Sequence, residues 1–310
     1  RIDYTGGGCP HILAEPQTTN LVTYSSDFSQ WIPGGSTIIE GGYLAPDGTN
    51  NAYKVSGSGS ALTLGASLLT TTTRSIYART TSGTGQANLC SFNSNTNNLF
   101  TITEQWQRFE VNSAISTGVV NFYAVDFRGG TTLSEIILWG ANATNDQDYA
   151  TSYIPTSGST VTRNQDIFTR DGIGSLINST EGVLFVEMAA LSNDGTFRII
   201  SLTDGGTTNR VSLIYNTLNN SIRVMVVSTS TVFDTSNSVT STLDFHKIAI
   251  KWKLNDFAVW IDGVEVATDT SGNAPVGLDR IVFDVGNGTL DFFGKVKQLQ
   301  VYDTSLSDEQ

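Results

Sequence analysis

The chain is poor in the residues that catalytic and metal chemistry most often use. Its 310 residues hold two cysteines, Cys9 and Cys90, and two histidines, His11 and His246. Neither cysteine has a second Cys or His at metal-ligand spacing, and Cys9 beside His11 falls far short of a zinc site. Two thiols do not make a disulfide framework, so unpaired cysteines are the plainer reading; a Cys9–Cys90 bridge stays open for an oxidising setting. Positive charge is also scarce. Lys and Arg number 17 against 29 Asp and Glu, and the net charge of −12 repels a phosphate backbone, which excludes nucleic acid as a natural partner. No apolar run approaches the roughly 20 residues that cross a bilayer, and no basic, apolar leader is present. The chain opens Arg1-Ile2-Asp3 with no Met, as a fragment or a processed product would.

What is abundant is different. Apolar residues make up 39% of the chain and charged residues 15%, with Gly, Ser, Thr and Asn between short apolar runs. That is the composition of a turn-rich all-β protein, and the length exceeds what one hydrophobic core usually supports, so two domains are expected. Helical periodicity is absent, while alternation over four to eight residues followed by a turn signal recurs. In Lys247–Leu254, Ile248, Ile250, Trp252 and Leu254 fall on one face and Lys247, Lys251 and Lys253 on the other. Asn255-Asp256 and then Asp262-Gly263 turn the chain through two hairpins into Val264-Glu-Val266, because Asp-Gly tolerates the positive φ of a tight turn. Comparable strands are expected at 183–188, 197–202, 210–215, 222–227, 280–285 and 294–302. The first half offers 20–24, 52–55, 75–79, 88–92, 105–111, 119–125 and 135–139. Many short strands at regular spacing indicate sandwiches.

Catalytic chemistry finds few candidates. A nucleophilic triad needs a base, and His246 heads a strand while His11 lies in an apolar segment, both suited to structural roles. Thr5-Gly-Gly-Gly8 runs into Cys-Pro and not into a helix, so it is no phosphate loop. Glu187 has Phe185 and Ala189 two residues away on either side, and so lacks the second carboxylate of a sandwich glycosidase. No enzyme is expected. Loop carboxylates Asp47, in Pro46-Asp-Gly-Thr49, and Asp194, in Asn193-Asp-Gly195, are the candidates for a structural calcium, although each also suits a plain turn. No other cofactor is expected.

Asn20–Trp31, Pro46–Thr49, Trp106–Phe109, Leu138–Ala141 and Tyr149–Arg163 together resemble a carbohydrate-binding-module-like jelly roll that recurs in bacteriophage tail and structural proteins. The likeness reaches upstream to Arg1–Gly8 and Ile12–Gln17. Asn142-Ala143 departs from that family, which continues with Gln and an acidic residue. The second half resembles a laminin-G or concanavalin A-like sandwich through His246–Ile250, Asn255-Asp256, Val259–Gly263 and Val301–Ser307. The expected order is an N-terminal segment 1–19, a jelly roll 20–156, a linker 157–178, a laminin-G-like sandwich 179–305, and a helix starting at 306–310 with Ser307 as its N-cap. The resemblance implies a non-catalytic virion appendage, a tail fibre or receptor-binding protein that recognises bacterial surface polysaccharide beside other virion proteins. A purely structural virion protein, or the binding portion of a secreted adhesin or polysaccharide-degrading enzyme, are the alternatives. Phage appendages are commonly trimeric, but no heptads here enforce a homotrimer.

A sugar site pairs an exposed aromatic with amide, carboxylate or guanidinium groups. Alternation puts Tyr77 and Arg79 on one sheet face, and the expectation is that Asn121 and Tyr123 join them from a neighbouring strand. Trp106 and Trp139, among apolar neighbours, are expected in the core, and Trp31 at one end of the first sandwich. In the second half Trp252 should be buried. Trp260, opposite in phase to Val259 and Ile261, is the surface candidate, with Tyr215 behind it.

Overall fold

The computed structural model describes residues 1–3, 10–64, 71–91, 98–115, 121–216 and 218–306. Its strands are antiparallel throughout the named sheets and fall into two compact units, one of Gln17–Asn164 and one of Arg1–Pro16 with Gln165–Gln310. The second unit is therefore discontinuous in sequence, and the first is an insertion between its chain ends. This differs from the serial order expected from sequence. Arg1–Pro16 does not stand apart, because Ile2–Asp3 pairs with His11–Ala14, which adds to the edge of Gly294–Tyr302. Nor is 157–178 an unstructured linker. Val161–Arg163 pairs with Thr18–Asn20 in the inserted unit, and Thr169–Arg170 pairs with Arg280–Val282 in the other. Cys9 and the helix expected from 306 to 310 with its Ser307 cap lie outside the described residues, apart from Leu306.

The inserted unit packs two five-stranded sheets. One runs Leu99–Ile102, Gly85–Ser91, Tyr123–Asp126, Ala61–Thr63, Ile32–Pro33; the other runs Gln107–Ile115, Thr71–Arg79, Glu135–Thr144, Ala52–Ser56, Ile38–Tyr43. Alternation explains the core between them: Ile76, Ala78, Ile136, Leu138 and Val55 point inward and are wholly buried, together with Phe28, Leu89 and Phe122. Trp31 joins this core and donates Nε1 to the Tyr24 carbonyl at 2.8 Å. In Glu135–Thr144 the register shifts between Trp139 and Asn142, and past that bulge Ala141 and Ala143 take over the inward positions. Gly140 makes the bulge workable, with φ at +64° and a Cβ there standing a tight 3.2 Å from the Tyr77 ring. Arg74 is also fully buried here, donating to the carbonyls of Ser91 at 2.7 Å and Asn121 at 3.0 Å, with its guanidinium 5.1 Å from the Phe122 ring centroid. Burial lowers its pKa to about 10, still charged at neutral pH.

The other unit sets a seven-stranded sheet against a six-stranded one. The first runs Ile2–Asp3, His11–Ala14, Gly294–Tyr302, Glu181–Ala190, His246–Lys253, Phe257–Ile261, Val264–Asp269. The second runs Thr169–Arg170, Arg280–Val282, Arg198–Thr203, Asn209–Tyr215, Ser221–Ser228, Ser230–Ser238. Ile248, Ile250 and Trp252 are wholly buried, as their alternation requires, whereas Leu254 is exposed because the strand ends at Lys253 and the chain turns there. The Asp262-Gly263 hairpin has φ of 53° and 82°, the left-handed pair that a two-residue turn needs. Tyr215, the second surface candidate, belongs to the core: its strand is hydrogen-bonded on both sides and its ring stacks on Phe292 at 6.2 Å.

Both histidines are tied into the fold. His246 Nδ1 meets Asp262 Oδ2 at 2.6 Å and Nε2 meets the Ser241 carbonyl at 2.9 Å, tying the hairpin to the strand start. His11 is buried beside Asp3 and edge-on to Phe245, and desolvation lowers its pKa, so it is neutral at pH 7.

Candidate functional site

One face of the inserted unit's second sheet points away from the core and carries an aromatic cluster. Trp139 lies at its centre, with Tyr77 edge-on at 5.3 Å and Tyr153 tilted at 4.6 Å between ring centroids. Ala45, Ala52 and Ile137 form the buried floor with Trp139, and Tyr43 and Trp106 pack around it. The register explains the layout. Arg108 lies opposite Tyr77, which lies opposite Trp139, while Arg79, Ile137, Lys54 and Glu40 form the adjacent row across four strands. Side chains in such rows share a face and stand about 5 Å apart, close enough for rings and cations to stack.

Loops complete the face. Trp139 donates Nε1 to Asn51 Oδ1 at 2.8 Å, and the Tyr153 hydroxyl sits 2.7 Å from Ser25 Oγ. Burial raises the Tyr153 pKa, so the phenol stays protonated. Arg108 donates to Ser75 Oγ at 2.8 Å and to the Thr151 carbonyl, pairs with Glu110 at 3.2 Å, and lies 5.8 Å from the Tyr77 ring. Lys54 pairs with Glu40 at 2.6 Å and lies 5.9 Å from Tyr43, and its hydrogen bond holds the Glu40 pKa low. Arg79 lies 5.4 Å from the Trp106 ring and makes one hydrogen bond, 3.3 Å from Nη1 to the Thr80 carbonyl, among the described residues. Tyr43, Tyr77, Trp106, Tyr153 and Arg79 are partly buried and keep some exposed surface, so apolar ring surface and polar groups meet solvent together.

The face contains Tyr77 and Arg79 but neither of the residues expected to join them. Tyr123 is on a strand of the opposite sheet, between Gly85–Ser91 and Ala61–Thr63, and Asn121 leads into that strand. Tyr123 is buried with Arg128 5.6 Å from its ring, and the Asn121 carbonyl accepts from buried Arg74. Trp106 and Trp139 are expected in the core; Trp139 is indeed buried, but in a separate cluster on the outer face of its sheet, and Trp106 is only half-buried beside it. Both phases of Glu135-Ile-Ile-Leu-Trp139 are apolar, which hides from alternation alone which face the tryptophan takes.

Elsewhere, Trp260 is half-buried on the outer face of the seven-stranded sheet. Its register partner is Ala249, itself opposite Phe185, which is followed by exposed Gln300; Lys251 stands 5.7 Å from the indole. Asp47 accepts from the Thr49 amide at 2.9 Å and hydroxyl at 2.7 Å, a turn closed on itself. Asp194 is held by both Arg198 nitrogens at 2.7 Å, and this pairing, outweighing burial, brings its pKa down to about 2. No group of three or more His, Cys, Asp or Glu that could hold a metal occurs among the described residues.

No protein-family model and no curated protein matches the sequence. Similar solved structures include carbohydrate-binding modules. The CBM40 of Ruminococcus gnavus IT-sialidase bound to alpha2,3 sialyllactose is 14% identical at a TM-score of 0.37, over 46% of this chain and 95% of that one. Domain 4 of AbnA, a GH43 extracellular arabinanase from Geobacillus stearothermophilus, in complex with arabinotriose, is 15% identical at 0.40, over 53% and 81%. Sheep galectin-11 in complex with glycerol is 5% identical at 0.32, over 44% and 97%.

Proposed function

We propose that the chain is a non-catalytic glycan-binding protein and that the aromatic outer face of its inserted sandwich takes the sugar. The carrying observation is the partly buried group Tyr43, Tyr77, Trp106 and Tyr153 around Trp139, flanked by Arg79, Arg108 and Lys54. Ring faces take the apolar side of a sugar while guanidinium, ammonium and carboxylate groups reach its hydroxyl edges. Tyr43, Tyr77, Trp139, Arg79, Arg108 and Lys54 sit on strands of a sheet packed on the core, Trp106 directly precedes one, and the Tyr153 hydroxyl is tied to Ser25, so the face is preformed and binding orders little. A phage appendage acting at the bacterial surface is the setting in which we place it, on the likeness of the Asn20–Trp31 and Tyr149–Arg163 segments to that family. Bacterial surface polysaccharide is then the partner, and virion proteins the neighbours.

A second reading places the contact on the other unit, where the Gln300, Phe185, Ala249, Trp260 row offers two aromatics on either side of a small residue. Probing a glycan array with the purified chain tests the first reading. Trp106→Ala, checked for native circular dichroism, is expected to lose at least tenfold of the binding signal, and Trp260→Ala to keep it. Binding that survives the first and fails in the second would move the site to the seven-stranded sheet. An array without any signal, together with association to a virion protein, would assign the chain to assembly.

A further inference from the structure

The three cations of the aromatic face among the described residues are not in the same state. Lys54 is neutralised by Glu40 at 2.6 Å, and Arg108 by Glu110 at 3.2 Å, with its Nη2 donating to Ser75 and Thr151 and its Nε buried and closed to a ligand. Arg79 has no carboxylate partner among the described residues. Of the five N–H donors that a guanidinium offers, it commits Nη1 to the Thr80 carbonyl at 3.3 Å. It is nonetheless held in place, half-buried, 5.4 Å from the Trp106 ring and opposite Ile137 in the register. A planar fork fixed against an aromatic and left without an anion is suited to accept a carboxylate through two parallel hydrogen bonds.

We infer that the face is selective for sugars that carry a carboxylate, with Arg79 taking the carboxylate while Tyr77 and Trp106 hold the ring. This rests on the glycan-binding reading above and narrows it to acidic glycans, whether the acid is a hexuronate or a sialic acid. General charge attraction is not its source, because the chain's net charge of −12 opposes an acidic polymer. The selectivity must come from local geometry.

Titration calorimetry with matched pairs tests this: a galacturonic acid oligosaccharide against its carboxyl-reduced counterpart, and sialyllactose against lactose. The expected result is at least a tenfold preference for the acid in one pair or both, the size of a charge-assisted fork; which pair responds identifies the source of the carboxylate. Arg79→Gln should bring that ratio close to one, and Arg79→Lys should leave it intermediate, because an ammonium cannot form the fork. Arg170→Gln, which removes an exposed cation of the other unit, should leave the ratio unchanged. Equal affinity within both pairs, with binding still dependent on Trp106, overturns the acid selectivity and leaves the glycan-binding reading standing. A ratio that falls equally in Arg170→Gln overturns it as well. Absence of binding to any array glycan overturns both.

Discussion

Tyr77 and Arg79 are two residues apart on one strand, and their value as a site comes from what stands opposite them. Tyr77 faces Trp139 on one side and Arg108 on the other, and Arg79 faces Ile137 and Trp106. At this scale charge is placed economically, and one buried thiol and one paired carboxylate give direct tests. The Cys90 thiol is fully buried, which pushes its pKa up to about 12. It should stay unmodified by an alkylating reagent at pH 8 in the native protein and react once denaturant is added, since the thiolate is the nucleophile. Rapid native labelling, followed by mass spectrometry, would contradict its placement. Asp194 behaves in the opposite sense. Its pKa falls from 3.8 to about 2, so its stabilisation is present above about pH 4 and is lost as pH falls toward 2. Asp194→Asn leaves the Arg198 guanidinium, 5% exposed, without its anion. A loss of about 1–3 kcal/mol is expected in denaturant unfolding, with a flatter acid limb than the parent protein.

At the scale of elements, alternation made much of the fold legible and left the site half-hidden. Ile248, Ile250 and Trp252 read correctly because their strand is polar on one side, and the Asp262-Gly263 turn because its φ values demand such residues. Tyr77 and Arg79 read correctly because Ile76 and Ala78 mark the inward phase. Trp139 reads correctly as buried, but both phases of its strand are apolar, so alternation does not tell which sheet face it takes. Alternation does not place Tyr123 in its sheet, because it reports which way a residue points and not which sheet its strand joins. Pairing across the sandwich is a long-range property that no local pattern encodes. The bulge at Gly140 is invisible for the same reason, although the Tyr77 and Tyr153 rings both close on that glycine. Gly140→Ala should therefore affect both fold and site. It places a Cβ at positive φ and 3.2 Å from the Tyr77 ring, which should cost about 1 kcal/mol or more. Thermal unfolding measures that cost, and a variant as stable as the parent would argue against the bulge.

At the scale of the whole molecule, the interrupted sandwich is the principal departure from a serial reading. Composition and repeating turns announce two sandwiches, but nothing local reveals that His11–Ala14 pairs with Gly294–Tyr302 far along the chain. An apolar N-terminal segment reads equally well as a separate arm. Residues 17–164 hold both sheets and the core of the inserted unit, and should fold alone with a cooperative melt. Residues 179–305 lack the strands at 2–3, 11–14 and 169–170, leaving edges of both sheets unpaired, and should be unstable or aggregate. A cooperatively folding 179–305 fragment with dispersed amide resonances would contradict the discontinuous unit.

The central claim is that one sheet face of the inserted unit binds glycan, and Tyr77 and Tyr123 separate it from its alternatives because they lie on opposite sheets. Binding of the best array glycan should be measured for the parent chain, Tyr77→Ala and Tyr123→Ala under one set of conditions. The account predicts at least a tenfold loss of affinity in Tyr77→Ala and parental affinity in Tyr123→Ala once folding is verified. Parental affinity in Tyr77→Ala, or a loss confined to Tyr123→Ala, would contradict it.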